Sequence, residues 1–211
     1  MKDQIIISGW CVLVHHQIKV NNDLVFEQQS SDFSEFSKAA FKELNQPYLK
    51  FYKMDNLSKL GFLCAEYLLR HKPVGPAYMP EEVGMILCNA ASCIDTDMEH
   101  QKTIADAGNY FPSPSVFVYT LPNIVIGEIS IKHKFQGENT FFIFEQFQPE
   151  FIANYVSSLF QGNRVKACIT GWVDLSPGAA DYKAVFYLAE KGDRKEALEF
   201  NNENLKKIYN Q

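Results

Sequence analysis

The chain has 211 residues, 46% of them hydrophobic and 21% charged, enough apolar material for one domain with a sizeable core or for two small ones. A formal charge of −5 and a pI near 5.6 exclude the basic surface that a nucleic-acid binder needs to neutralise phosphates. Five cysteines at scattered positions suggest no disulfide framework, and the 17 phenylalanines point to an aromatic core or interface.

The opening stretch has one short apolar run, broken by Gly9 and followed by His15 and His16. It suits neither a signal peptide nor a membrane span, so a cytoplasmic protein with no membrane contact is expected. Gln4 to Val14 is a nearly continuous β-branched run, predicted as a strand buried on both faces, as in a central parallel strand. Residues 16–32 are polar and poorly periodic, a loop with a short extended piece. Helical spacing follows from Asp32 to Glu43. Asp55 to Leu69 is the clearest helix: Leu57, Leu60, Cys64 and Leu68 share one face, and Asp55 can cap it. A turn-rich stretch from Lys72 to Pro80 ends it. Glu82 to Asn89 is a second buried strand, and a helix is expected from about Asp95 to Ala107.

Two prolines make Phe111–Ser115 a loop. The run from Leu121 to His133 is rich in isoleucine, and propensity alone reads it as a strand. Thr140–Phe144 is a third strand, and Pro149–Leu159 a helix with proline in its first turn. Arg164–Val173 and Lys183–Glu190 are the fourth and fifth strands, joined by a turn at Ser176–Gly178. A last helix is predicted over about 193–209, with Asp193 and Glu196 in capping-box spacing. The chain therefore reads as one α/β domain over 1–211, with its core in 4–190: a five-stranded mixed, mostly parallel sheet with helices on both faces, closed by an antiparallel edge pair.

Several short motifs in this order resemble β-ketoacyl synthases. The run beginning at Ile5 resembles that family's opening strand "Val-Val-Ile-Thr-Gly-x-Gly". Phe51 to Leu60 resembles its helix start "Arg-x-Met-Asp-Arg-x-x-x-Leu", and Glu82 to Leu87 its second strand "Arg-Val-Gly-Val-Val-x-Gly". Pro114 to Ile124 is similar to the stretch that helps build the family's dimer interface. Gly171 to Asp174 resembles its fourth strand, "Ala-Gly-Gly-x-Glu". The resemblance implies half of a thiolase-like fold, and it makes Leu121–His133 a helix. It also carries a departure. Gly137 to Gln146 has the outline of the family's nucleophile strand, "Gly-Pro-x-x-x-x-x-Thr-Ala-Cys", yet nine residues on from Gly137 stands Gln146. An amide cannot attack a thioester as a thiolate does. A one-residue slip would bring Glu145 or Phe147 to that position, and neither is a thioester nucleophile there.

The family's two catalytic histidines belong to the second half-repeat, past the length of this chain, and its acyl-pocket loop between the fourth and fifth strands is cut to a few residues here. Chain-length-factor subunits, which pair with an active ketosynthase, carry glutamine at the nucleophile position. Loading-module ketosynthases with glutamine decarboxylate, but they keep the histidines. The resemblance thus implies a catalytically silent subunit for fatty-acid, polyketide or aryl-polyene-type synthesis, paired with an active ketosynthase or with itself. Acyl carrier proteins are acidic, so an acidic chain would meet one only indirectly. A homodimeric binder of an acyl group or other small molecule is the second reading, and a residual malonyl-thioester decarboxylase the third. Gln146 is either a functional mimic or a residue that drifted. The expected interface comprises Phe111, Val116, Phe117 and Tyr119 with the third strand's Phe141, Phe142 and Phe144.

No cofactor or metal site is expected. Adjacent His15 and His16 in a strand would point to opposite faces. Cys88 and Cys93 lack a second ligand pair. Asp95, Asp97 and Glu99 imitate the start of a calcium loop without its glycine or distal glutamate. His71 and His133 are placed at helix ends, where a cation suits the dipole.

Overall fold

The computed structural model describes residues 4–29, 32–75, 77–108, 111–192 and 197–211. β1 (Gln4–Val14) runs into two short strands, β2 (Gln17–Val20) and β3 (Asp23–Glu27). His15 and His16 form the first turn with φ of 49° and 60°, and Asn21 and Asn22 the second with 51° and 76°. Paired positive φ angles give a turn whose twist matches that of the flanking strands. The expected loop over 16–32 is therefore mostly a hairpin, anchored by buried Ile18 and Val20. The two histidines lie in its turn, not in a strand.

α1 (Phe33–Glu43) is capped by Asp32, and α2 (Asn56–His71) by Asp55, whose side chain accepts from Ser58 N at 3.0 Å. β4 (Val83–Asn89), α3 (Ile94–Ile104), α4 (Pro114–Phe117) and α5 (Ile124–His133) follow. Then come β5 (Asn139–Ile143), α6 (Pro149–Gln161), β6 (Ala167–Leu175), β7 (Tyr182–Gly192), β8 (Leu198–Glu199) and α7 (Asn202–Tyr209). The last helix is capped by Asn201, which accepts from Asn204 N at 3.0 Å. The capping box expected at Asp193 and Glu196 lies outside the described residues.

Among the described residues the sheet has eight strands, in the order β3-β2-β1-β7-β6-β4-β5, with β8 beside β1. The five expected strands are all present, and the hairpin and β8 are additions. β4 is parallel to both β5 and β6, while β7 is antiparallel to β6 on one side and to β1 on the other. Of the five expected strands, four therefore share one direction. The expected antiparallel edge pair is instead central, because β7 is inserted between β6 and β1. Its run Ala184–Ala189 is buried throughout, and such a strand gains most with a neighbour on each side. The apolar run of β1 reflects the same two-sided burial, achieved with antiparallel neighbours.

Alternation along the strands feeds two cores. Leu13, Ile169 and Phe186 meet α1, α2 and α5, whereas Val12, Trp172 and Tyr187 meet α6 and α7. α2 is buried nearly all round, a wider surface than one stripe, because it lies between the sheet, α1 and α5. A Cβ on Gly61 would come within 2.4 Å of Val125, so glycine permits the α2–α5 approach. α5 is helical as the family resemblance implied: tertiary packing of Val125, Ile126 and Ile129 overrides β-branched propensity.

The tightest steric constraint is at Gly171, with φ of +151° on β6. A Cβ there would sit 1.9 Å from the Val185 carbonyl oxygen of β7. Gly171→Ala is expected to lower stability by about 3 kcal/mol through backbone strain and separation of β6 from β7. Urea unfolding would show this as a lower midpoint, and an unchanged midpoint would remove the constraint.

Candidate functional site

Gln146 lies on the bend between β5 and α6. The strand ends where Phe144 N donates to Asn89 O at 2.9 Å. Glu145 and Gln146 are then exposed, while Phe147 turns inward. The Phe147 ring stacks on Tyr209 at 4.5 Å and meets Trp172 edge-on at 6.0 Å. Pro149 opens α6, with no side-chain cap from Gln148. The exposed bend is thus held by one buried aromatic and by the first turn of a helix. Gln146 edges an open depression between α6 and α7, together with Gln148, Glu150, Asn202, Lys206 and Tyr209. No thiol or imidazole lines it. An amide, carboxylates and a lysine there can form hydrogen bonds and ion pairs, but they supply no thiolate.

The segments beside this bend are fixed by carboxylates whose roles sequence reading missed. Asp174 Oδ1 accepts from the backbone N–H groups of Ala90 and Ala91 at 3.1 and 2.9 Å. Asp95 accepts from Asn56 Nδ2 at 2.9 Å and from Gly178 N at 2.6 Å, joining α3 to the start of α2 and to the turn after β6. Asp55 also accepts from Thr96 Oγ1 at 3.0 Å. Burial raises the Asp55 carboxyl above its ordinary value, with hydrogen bonds from Ser58 and Thr96 opposing that shift. The calcium-like run is accordingly a fixed helix start, and among the described residues no group of three candidate metal ligands forms.

All five cysteines are buried. Burial pushes the Cys64, Cys88 and Cys168 thiols up. Burial, reinforced by the Asp97 carboxylate, pushes Cys93 up to about 11. The histidines lie on other elements. His71 Nδ1 is 2.8 Å from Tyr67 O at the end of α2. His133 closes α5 as expected, and its Nε2 is 2.5 Å from Glu66 Oε1, a buried partner that the sequence did not reveal.

The expected interface residues divide into two groups. Phe111 and Phe117 are 85% and 60% exposed. Val116 is half-buried, and the Tyr119 hydroxyl donates to Glu128 at 2.9 Å, which commits that side chain partly to the interior. α4 packs on α3, where His100 meets Phe117 with ring centroids 5.3 Å apart. Phe141, Phe142 and Phe144 lie on or just after β5, an edge strand that pairs, among the described residues, with β4 alone. Phe141 packs toward the α2 side of the sheet, while Phe142 and Phe144 contact Phe151 of α6 at 5.0 and 5.1 Å. Sequence reading missed the exposed Val118, Leu121 and Ile143. Their signal was apolar character within stretches already singled out, but exposure is decided by packing.

No protein-family model matches the sequence, and no curated protein matches it significantly. Solved structures do. A chain of the ishigamide ketosynthase/chain length factor is 15% identical with a TM-score of 0.65, over 92% of this chain and 64% of that one. A type II polyketide synthase ketosynthase complex with its acyl-carrier protein is 13% identical with a TM-score of 0.59, over 90% and 63%. This chain thus spans less than two thirds of either. A complex of a ketosynthase (ApeO) with its chain length factor (ApeC) from Xenorhabdus doucetiae is 12% identical with a TM-score of 0.60, over 98% of this chain and 90% of that one. No single helix among the described residues is long and apolar enough to cross a membrane. The fold of this chain is the thiolase-like α/β fold found in ketosynthase and chain-length-factor complexes.

Proposed function

We propose that this chain is a catalytically silent, chain-length-factor-like subunit. It pairs with an active ketosynthase in the cytoplasm and supports synthesis of a polyketide, aryl-polyene or fatty-acid-type chain. The observation that carries this reading is the exposed Gln146 on the β5–α6 bend, where the family resemblance calls for a cysteine, in a depression without thiol or imidazole. The near-complete mutual coverage with a chain from a ketosynthase–chain length factor complex supports a subunit of this size acting as one domain over 1–211.

The pairing surface in this reading is the 111–121 stretch together with the β5 edge, including Phe111, Val116, Phe117, Tyr119, Phe141, Phe142 and Phe144. An edge strand offers unpaired N–H and C=O groups, and exposed apolar side chains beside it favour a partner. Phe111 and Phe117, 85% and 60% exposed, stand to bury the most new surface, and Ile143 is 53% exposed on the strand itself. An acyl carrier protein would reach the pair chiefly through the ketosynthase, since this chain carries −5.

Light scattering of the purified chain, mixed with a ketosynthase encoded beside its gene, should show a one-to-one complex. Phe117→Asp or Ile143→Asp should weaken it about tenfold or more. A homodimer that ignores the ketosynthase would favour the self-contained acyl-binding alternative. Malonyl-thioester turnover by the chain alone, lost in Gln146→Ala, would overturn catalytic silence in favour of a decarboxylase.

The cysteines provide a separate check. Alkylation follows the thiolate fraction and access, so iodoacetamide at pH 8 should leave the native chain almost unlabelled and modify all five positions after denaturation. Rapid native labelling at Cys93, read by mass spectrometry, would reveal a thiol able to do covalent chemistry.

A further inference from the structure

The C-terminal ends of α1, α2 and α5 border a groove of about 490 Å³ that opens to solvent along one side. That volume is within the usual range for small-molecule sites. Its wall is apolar, with Leu69, Val74 and Phe135 all buried. Its polar atoms are mostly acceptors. Glu66 of α2 is 2% exposed, and its Oε1 lies 2.5 Å from His133 Nε2. A carboxylate only accepts, so that nitrogen carries the proton, and Nδ1 of the neutral ring is left as an acceptor. Phe135 lies nearly parallel to the imidazole, at 5.3 Å and 17°, and helps to fix its plane.

Gln46 adds a third acceptor. It follows α1 and lines the same groove, and its Oε1 is buried and, among the described residues, bonds to nothing. A buried polar atom without a partner is rare in a folded chain, because it has given up its bonds to water. The cation among the lining residues, Arg70, is exposed and stands one helical turn beyond Glu66, at the rim. A carboxylate ligand would meet three acceptors here, and an ammonium would meet the guanidinium. An uncharged group with N–H donors meets neither penalty.

We propose that this groove binds an uncharged primary amide carried on an apolar body. The two N–H donors of the amide go to Gln46 Oε1 and His133 Nδ1, its carbonyl oxygen faces the Arg70 guanidinium at the rim, and Leu69, Val74 and Phe135 hold the body. The site is independent of the pairing surface and of the Gln146 bend.

Benzamide is the probe, and benzoate, of the same shape but with acceptors in place of the N–H donors, is its control. The readout is the His133 ring signals of the full chain, followed by NMR at about pH 8, above the usual imidazole range. Benzamide should shift them saturably with a Kd in roughly the millimolar range, and benzoate should bind about tenfold more weakly. Gln46→Met, of similar length but without the acceptor, should weaken benzamide by about tenfold, while Gln146→Ala should leave it unchanged. The comparison of benzamide with benzoate is made on the native chain and so does not depend on how the Gln46 variant folds. Signals that stay still up to about 50 mM benzamide, well above that Kd range, that move equally with benzoate, or that respond alike in a folded Gln46→Met chain would overturn the proposal.

Discussion

The pairing of β7 with β6 on one side and β1 on the other is the contact on which the structure depends. It joins the N-terminal strand and its hairpin to the parallel set β6, β4 and β5. Without it the sheet would fall into two pieces, each too small to bury both faces. The junction is close: Gly171 approaches the Val185 carbonyl so nearly that no side chain fits between them. Because β7 completes the centre of the sheet, α1, α2 and α5 can cover one face continuously and α6 and α7 the other. The bend carrying Gln146 is a product of that arrangement, leaving the edge strand β5 and entering the helix that covers the second face.

Charged groups placed inside the apolar layers give the helices their registration. Glu128 of α5 is 4% exposed, with Lys50 at 2.7 Å and the Tyr119 hydroxyl at 2.9 Å. Glu66 of α2 meets His133 of α5, Asp55 ties α2 to α3, and Asp95 ties α3 to the turn after β6. Each buried carboxylate carries a desolvation cost offset only when its bonding partners stay in place. These contacts thus favour one relative placement of α2, α3 and α5, where apolar packing alone would tolerate several. The Gln146 depression lies apart from these contacts and is lined by groups that can bond but not attack.

A silent subunit has different structural requirements from an enzyme. In the proposed reading this chain is such a subunit: it needs a shape that a partner recognises, and no nucleophile on the bend between β5 and α6. Phe147 illustrates this economy: its stacking on Tyr209 maintains the bend whatever occupies the neighbouring position. The apolar side chains left outside, from Phe111 to Leu121 and at Ile143, are costly on an isolated surface and useful at an interface.

Local signals in the sequence determined most elements. Asp32 and Asp55 mark helix starts because their side chains satisfy first-turn N–H groups. The segments of β6 and β7 were legible as strands, and the ordered motifs indicated the fold in which they belong. The family resemblance singled out Gln146, which lies on the β5–α6 bend. Tertiary structure decided what depends on neighbours distant in the chain. The Ile124–His133 segment has strand propensity, yet it is helical because α2 offers it a helix-shaped surface. The hairpin at 17–27 was obscured because histidine and asparagine supplied the positive φ angles usually signalled by glycine. The insertion of β7, the pairing of Glu66 with His133 and the exposure of Phe117 could not be read locally. Each depends on which surface packs against which, a property of the assembled sheet and its helices that no single segment encodes.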